Sequence, residues 1–347
     1  LSAGGIEIGF TTIAVVIAQV FVAMPFFVVA VEGAAHVVDP APGRALRALG
    51  AGSGTVLRHA VLPALAPALV SGTSLAFARA LGEFGATLTF AGSLPGTTRT
   101  MPLAIYLARE SDRDLAYTLA ALLIVTAITA LLLGTGIAKA LSRPAPTVTL
   151  NEIHSETPSA ALPLEAGTLT AAVRRPERDV EVDLTIPAGV TLALVGPNGS
   201  GKSTVMEELT GLLPAPASAV SIDGTRVDSA TAGGRGIALL TQHPALLPHR
   251  TSIANVEIAA RLARRDNPGE AARDALRTAG ALAYADTRPG SLSGGQRALV
   301  ALARALATNP QVILLDEPFA ALDVTAAAHA RQTLGRVLHG RTAVLVS

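Results

Sequence analysis

Cysteine is absent from the 347-residue sequence, which excludes disulfide bonds, thiolate metal sites and cysteine nucleophiles. Charge is scarce as well, since 15% of the residues are charged, against roughly a quarter in soluble domains. An excess of one sign is also missing. The net charge of +1 gives no electrostatic support for nucleic-acid binding, and we predict no nucleic-acid partner.

The shortage of charge is concentrated at the start of the chain. Residues 1–142 hold 8 Lys and Arg and 7 Asp and Glu, whereas residues 143–347 hold 19 of each. Three apolar runs in the first part reach the roughly 20 residues that a bilayer-spanning helix needs. We predict an all-α transmembrane domain over residues 1–142, with helices near 11–31, 60–91 and 115–138. Core helices of a soluble protein are the alternative, but three such runs are hard to bury.

The rest of the chain has a different pattern. Residues 143–166 are rich in Pro, Ser and Thr without periodicity, which is typical of a linker. From residue 167, short β-branched runs alternate with helical segments, and this predicts an α/β domain with a largely parallel sheet over 167–347. Both ends of the sequence look cut, because it starts without Met and stops in an apolar run.

A glycine-rich segment follows the buried-strand run 190–195 and precedes a helix, which is the context of a phosphate-binding P-loop. Its backbone amides and the helix N-terminus favour phosphate groups. We expect Lys202 to reach the β- and γ-phosphates and the Ser203 hydroxyl to bind Mg²⁺. The predicted nucleotide-binding residues here are Gly196, Pro197, Asn198, Gly199, Ser200, Gly201, Lys202, Ser203 and Thr204.

Two carboxylates follow a second apolar run, residues 312–315. Asp316 at the strand end suits Mg²⁺, and Glu317 suits the base that polarises an attacking water. A solvated Asp-Glu pair is the alternative for such a pair in isolation. Four uninterrupted apolar residues before it favour the catalytic interpretation.

The segment Leu292-Ser-Gly-Gly-Gln296 precedes a predicted helix over 297–307, with Ser293 as its N-cap. A serine and two glycines at a helix start can form a second phosphate-binding surface, here Ser293, Gly294, Gly295 and Gln296. An N-cap without a ligand is the alternative. The P-loop upstream and the carboxylates downstream disfavour it.

Together these motifs make residues 167 to the end resemble the ATP-binding cassette of ABC proteins, through GPNGSGKST, LSGGQ and VILLDEP. The resemblance implies that Gln242 is the Q-loop glutamine, a catalytic residue and Mg²⁺ ligand, and that Asp323 is a D-loop contact to the nucleotide. It also implies two cassettes that sandwich two ATP molecules, hence a homodimer through the cassettes and the permease domains, with ATP and Mg²⁺ as cofactors.

Two positions depart from that family. Arg178 stands roughly where the family has an aromatic residue on adenine, so the contact to the base is open. The family's switch histidine follows the strand at 343–346, and the sequence ends at Ser347. We therefore expect residues 1–347 to bind Mg·ATP but to hydrolyse it barely above background.

The segment Arg44–Pro63 resembles the cytoplasmic coupling segment of ABC importers, although Arg44-Ala45-Leu46 replaces the usual Glu-Ala-Ala. The resemblance implies docking in a groove of the cassette, and a plain amphipathic surface helix is the alternative. Residues 80–87, 91–96 and 100–106 resemble the molybdate, tungstate and sulfate permeases, with about residues 10–140 matching the C-terminal half. Whether Arg79 and Glu83, spaced for one helix face, are functional or structural stays open.

The resemblance implies ATP-driven import of an oxyanion, molybdate first and sulfate or tungstate next, with an external oxyanion-binding protein as partner. Because ATP is cytoplasmic, the cassette and loop 32–60 would face the cytoplasm, loop 92–114 would be external, and the protein would reside in the cell membrane. Two other classes compete. A soluble ABC ATPase acting on nucleic acid is disfavoured by the apolar spans, and a membrane-anchored regulatory ATPase by the coupling segment.

Overall fold

The computed structural model describes residues 9–142, 166–197, 199–213, 218–318 and 324–346. These form two compact units. One contains residues 9–38 and 62–142, and the other contains residues 39–61 with everything described from 166 onward. The predicted domain over 1–142 is thus divided, because residues 39–61 pack with the second unit. The predicted linker, 143–166, lies outside the described residues except for its last residue.

The first unit is helical. Its elements are α1 (Thr12–Val37), α4 (Leu62–Leu81), α5 (Gly85–Ala91), α6 (Met101–Ser111) and α7 (Arg113–Ser142). Helix α4 packs against both α1 and α7. A Cβ on Gly134 of α7 would lie 1.7 Å from the Ser74 Oγ of α4, so this glycine permits the close approach of the two helices.

Three described helices are long and apolar enough to cross a membrane, over Thr12–Val37, Ser53–Leu81 and Arg113–Ser142. They lie where the sequence predicts spans. The predicted extent of the second, 60–91, is wrong at its end, because the helix stops at Leu81 and α5 begins at Gly85. The Glu83 carboxylate accepts a hydrogen bond from the Ala86 amide at 2.8 Å and thereby starts the new helix.

The second unit begins with α2 (Ala41–Ala48) and α3 (Ser53–Val56), and a π-helical turn, Leu57–Val61, leads from α3 directly into α4. A short helix with one buried face and a turn thus lie between the first two spans. Leu46 on α2 is 1% exposed, because this helix buries one face against the rest of the unit.

Two four-stranded sheets build the remainder of the second unit. The parallel sheet has the order β3-β8-β7-β6, from β3 (Thr191–Leu194), β6 (Ile237–Leu240), β7 (Val312–Asp316) and β8 (Thr342–Val346). The antiparallel sheet has the order β2-β1-β4-β5, from β1 (Leu169–Arg175), β2 (Val180–Ile186), β4 (Ala219–Ile222) and β5 (Thr225–Arg226). The α/β class is confirmed, but only one of the two sheets is parallel.

Helices flank these sheets. They are α8 (Lys202–Thr210), α9 (Ser252–Leu262), α10 (Pro268–Thr278), α11 (Gly294–Leu306) and α12 (Val324–Leu338). Apolar residues of α8 pack with both sheets in one core, and α9, α10 and α11 share a second core with strands of the parallel sheet. Because the four parallel strands end at the same edge, the loops that follow β3, β6 and β7 converge there.

Candidate nucleotide site

The glycine-rich loop lies between β3 and α8, as the sequence predicts. Gly199 and Gly201 have φ values of 84° and 85°, a region that side chains disfavour. A Cβ on Gly201 would also lie 2.4 Å from Val180 Cγ2. Gly201 is the N-cap of α8 and supplies no side-chain cap, so the amides of the first turn point into the loop. The backbone thus presents donors to an anion.

Lys202 stands at the start of α8 and folds over the loop. Its ammonium donates to the carbonyls of Gly196 at 2.6 Å and Pro197 at 3.0 Å. Ser203, the residue after Lys202, is exposed. A cation and a hydroxyl on the rim of an amide-lined loop fit a nucleotide triphosphate and its metal ion.

The two carboxylates lie at the end of β7, with β8 between β7 and the strand that leads into the loop. Burial raises the pKa of Asp316, and the neighbouring charges of Glu317 and Glu207 act in the same direction, whereas Lys202 opposes them. Asp316 is thus close enough to Lys202 to feel its charge. A half-buried carboxylate that shares its surroundings with two others suits a divalent cation.

Glu317 and Gln242 meet across this edge of the sheet. The Gln242 amide donates to the Glu317 carboxylate at 3.5 Å, from the loop after β6. Glu317 has a left-handed φ of 42°, unusual for a residue with a side chain, and its amide bonds to the Val346 carbonyl at 3.3 Å. The structure therefore brings Lys202, Asp316, Glu317 and Gln242 to one edge of the parallel sheet.

No group of three or more metal-ligating side chains occurs among the described residues. Ser203, Asp316 and Gln242 supply oxygen ligands that fit Mg²⁺ only as part of a shell completed by phosphates and water.

The predicted signature segment begins α11. Ser293 and Gln296 form a reciprocal capping box, in which the Ser293 hydroxyl accepts from the Gln296 amide at 3.2 Å and the Gln296 side chain accepts from the Ser293 amide at 2.8 Å. No hydrogen bond among the described residues joins Ser293, Gly294, Gly295 or Gln296 to the loop of the same chain. The predicted Asn198 and Asp323 lie outside the described residues.

Arg178 lies beside the loop, in a short turn between β1 and β2. Its guanidinium donates to the Thr204 hydroxyl of α8 at 3.3 Å, and the residue is exposed. The buried Glu208 carboxylate of α8 accepts hydrogen bonds from the Arg175 guanidinium and the Ser218 hydroxyl. These bonds connect α8 to the antiparallel sheet. These contacts hold α8, the helix after the P-loop, against the antiparallel sheet on the side where Arg178 lies.

Two family models divide the chain between them. The model for the binding-protein-dependent transport system inner membrane component matches residues 5–143, and that for the ABC transporter matches residues 180–320. The second match contains the loop, the signature segment and both carboxylates. This chain belongs to the ABC transporters. It joins an importer-type membrane domain to an ATP-binding cassette.

Named relatives match the two parts of this ABC transporter chain separately. The molybdenum transport system permease protein ModB of Mycobacterium tuberculosis is 54% identical over 127 residues, 37% of this chain and 48% of that protein. The molybdenum import ATP-binding protein ModC of the same species is 41% identical over 175 residues, 47% of this chain and of that protein. The chain spans about half the length of the curated relatives it matches.

Cassettes named for other cargoes are equally similar. The spermidine/putrescine import protein PotA of Nitratidesulfovibrio vulgaris is 42% identical over 41% of this chain and 39% of its own length. The sulfate/thiosulfate import protein CysA 1 of Chromobacterium violaceum is 41% identical over 46% of each. The cassette of this ABC transporter therefore does not identify a cargo.

Residues 39–61 of the transporter form a docked segment on the cassette. Leu46, Leu49 and Val56 share a buried cluster with Leu247 and Ile258 of the cassette. The Arg250 guanidinium also lies 3.0 Å from the His59 Nδ1. This geometry supports the predicted docking on the cassette, and Leu247 places the contact in the same loop as Gln242.

The backbones of the docked segment and the cassette also touch directly. A Cβ on Gly233 would lie 2.5 Å from the Leu49 carbonyl oxygen, and a Cβ on Gly50 would lie 2.8 Å from Gly233 Cα. Gly50 falls within the segment Arg44–Pro63 that the sequence identified, whereas Gly233 was missed. The Gly-Gly pair at 233–234 just before β6 was the signal that could have pointed to it.

Glu83 of the permease has a structural role at the break between α4 and α5. It is 7% exposed and forms an ion pair with Arg79 at 2.9 Å while capping α5 through the Ala86 amide. Thr87, fully buried, bonds to the Phe84 carbonyl at 2.9 Å. Both polar side chains are thus used to form the break between α4 and α5, which favours the structural alternative.

Proposed function

We propose that this chain uses ATP hydrolysis to drive import of a tetrahedral oxyanion of the molybdate type. The observation that carries the proposal is one chain in which a nucleotide site shares a compact unit with a docked segment of an importer-type membrane domain. Since that segment continues into α4, a change at the cassette would reach a membrane helix through an unbroken backbone.

In the proposed mechanism the P-loop amides and Lys202 bind the phosphates of ATP. Ser203, Asp316 and Gln242 would hold Mg²⁺, which offsets phosphate charge when bound. Glu317, held beside Gln242, would accept a proton from the attacking water, and removing such a base typically costs ~10²–10⁴ in rate. Asn198, Thr204 and Asp323 remain proposed nucleotide contacts from the sequence.

The Ser293 segment supports a second part of the proposal, a homodimer. Ser293 is exposed at the start of its helix, and no hydrogen bond among the described residues connects its segment to the P-loop of the same chain. We assign it to the phosphates bound by a second cassette, so that two chains would enclose two ATP molecules. An external oxyanion-binding protein would deliver cargo to the permease.

The cargo assignment rests on the permease, because ModB matches it with 54% identity whereas cassettes of several named cargoes match alike. Sulfate is the second candidate, favoured by the CysA 1 match. A regulatory ATPase that transports nothing is the competing class.

Uptake measurements test the proposal directly. The full-length protein is reconstituted in vesicles with its binding protein, and labelled molybdate, tungstate, sulfate and putrescine are compared. Molybdate uptake should require ATP and vanish in Lys202→Ala. Uptake of sulfate alone would move the assignment to the second candidate, and ATP hydrolysis without uptake of any of them would favour the regulatory class.

A further inference from the structure

Arg304 is a buried cation near the end of α11. It is 7% exposed, and its guanidinium donates to two successive backbone carbonyls, those of Pro244 at 2.8 Å and Ala245 at 2.7 Å. Burial lowers the pKa of Arg304 to about 10, so it stays charged at neutral pH. The described residues provide no carboxylate within ion-pair distance of it.

Its two acceptors lie in the middle of the loop that joins β6 to α9, residues 241–250, which we term the Gln242 loop. At the start of this loop Gln242 reaches Glu317. Farther along, Leu247 packs in the cluster with the docked segment 39–61. Arg304 therefore holds the loop between its catalytic contact and its docking contact.

The loop is fixed again near its far end. Asn255 is 1% exposed and binds both the amide and the carbonyl of Leu247, at 2.7 and 3.1 Å. Ala245, one of the two residues whose carbonyls Arg304 binds, has a left-handed φ of 45°. A residue with a side chain keeps such a conformation only where its surroundings hold it.

A buried arginine without a carboxylate partner is a costly way to fill space, since an apolar side chain of similar volume packs as well or better. What the guanidinium adds is geometry, because its planar fork of donors fixes two carbonyls at once. The same helix starts with the Ser293 segment, so one rigid element connects that segment to the Gln242 loop.

We propose that Arg304 is a positioning residue that holds the Gln242 loop in place and so sets Gln242 against Glu317. This inference rests on the proposed ATP hydrolysis only where it predicts a change in ATP turnover. The structural consequence, a loosened loop, is independent of it.

The test compares Arg304→Met with Arg341→Met in the full-length protein. Arg341 is a matched control because it is 4% exposed and lies immediately before β8, away from the edge that bears the site. Hydrogen exchange should become about tenfold faster for amides 243–250 in Arg304→Met, since two charge-assisted hydrogen bonds are lost. The control should leave these amides unchanged.

A double-mutant cycle with Gln242→Ala gives the second readout. If Arg304 acts through Gln242, ATP turnover should fall about tenfold in Arg304→Met but no further when that change is added to Gln242→Ala. Arg304→Lys, which keeps the charge but not the fork, should give an intermediate loss and serves if the Met variant does not fold.

Unchanged exchange over 243–250, or turnover losses that add independently of Gln242, would overturn the proposal. An equal effect of Arg341→Met on both readouts would do the same. Absence of ATP turnover in the unmodified protein would instead contradict the proposed function, while the exchange experiment would still decide the role of Arg304.

Discussion

Replacing Gly233 by alanine should separate nucleotide binding from coupling. Gly233 lies in the short turn 232–234 before β6, far from the P-loop in sequence, and its Cα touches the docked segment. A methyl group there would stand 2.5 Å from the Leu49 carbonyl oxygen and 2.7 Å from Gly50 Cα. Both are backbone atoms, so no side-chain rotation relieves the clash.

The magnitude follows from this geometry. The docked segment must move by about an ångström to reach ordinary van der Waals distance, and Leu46 and Leu49 would leave their fitted positions. Overpacking of this kind typically costs ~1–3 kcal/mol. If that cost falls on docking, the docking equilibrium weakens by roughly 5- to 150-fold. ATP affinity should stay unchanged, because the P-loop is not touched.

The matched control is Gly234→Ala, one residue along the same turn. A Cβ at Gly234 has Thr231 Oγ1 at 3.5 Å as its nearest neighbour, which is an ordinary contact. The assay measures ATP affinity, basal turnover, cargo-stimulated turnover and hydrogen exchange over residues 46–51. Only Gly233→Ala should lose stimulation and protection. If the two alanine variants behave alike, the backbone contact does not govern docking.

Three further outcomes are expected. Glu317→Gln should bind ATP normally but lose at least ~10²-fold in turnover, and normal phosphate release would remove Glu317 as the base. Glu208→Ala should lower the unfolding free energy by about 1–3 kcal/mol because the buried Ser218 hydroxyl loses its acceptor, whereas exposed Glu181→Ala should change it little; equal thermal shifts would contradict this. Glu83→Gln keeps an acceptor for the Ala86 amide of α5 and should retain cargo uptake, whereas Glu83→Leu removes the acceptor and should lose it. Loss of uptake in both variants would mean that the negative charge itself is needed.

The location of the nucleotide site was predictable from sequence. The P-loop, the signature segment and the Asp316-Glu317 pair each have fixed local spacing, and each lies at the end of a buried strand or at the start of a helix. The chemistry of such a motif can be recognised from a short segment, because the glycines, the lysine and the carboxylates act together with a few neighbouring backbone groups. Gln242 was identified through family resemblance, and its 3.5 Å approach to Glu317 agrees with that assignment.

The limits of individual elements were less predictable. The apolar run through residue 91 predicted one long helix, because hydropathy does not show where a side-chain hydrogen bond ends one helix and begins another. The break at Gly82–Phe84 depends on the Glu83 carboxylate capping α5. The antiparallel sheet was missed because β1 and β2 alternate buried and exposed residues, which gives no continuous apolar run, and because the pairing of β1 with β4 joins residues far apart in sequence.

By itself the sequence indicated apolar runs for a membrane, a glycine-rich phosphate loop, a carboxylate pair that we propose is catalytic, and a signature segment. Tertiary structure alone decided which distant groups act together. The contact of Gly50 with Gly233 and the grip of Arg304 on Pro244 and Ala245 leave no motif, because each depends on backbone atoms whose positions are set by packing elsewhere. Local spacing encodes what a segment can bind, whereas the coupling between segments exists only once the chain is folded.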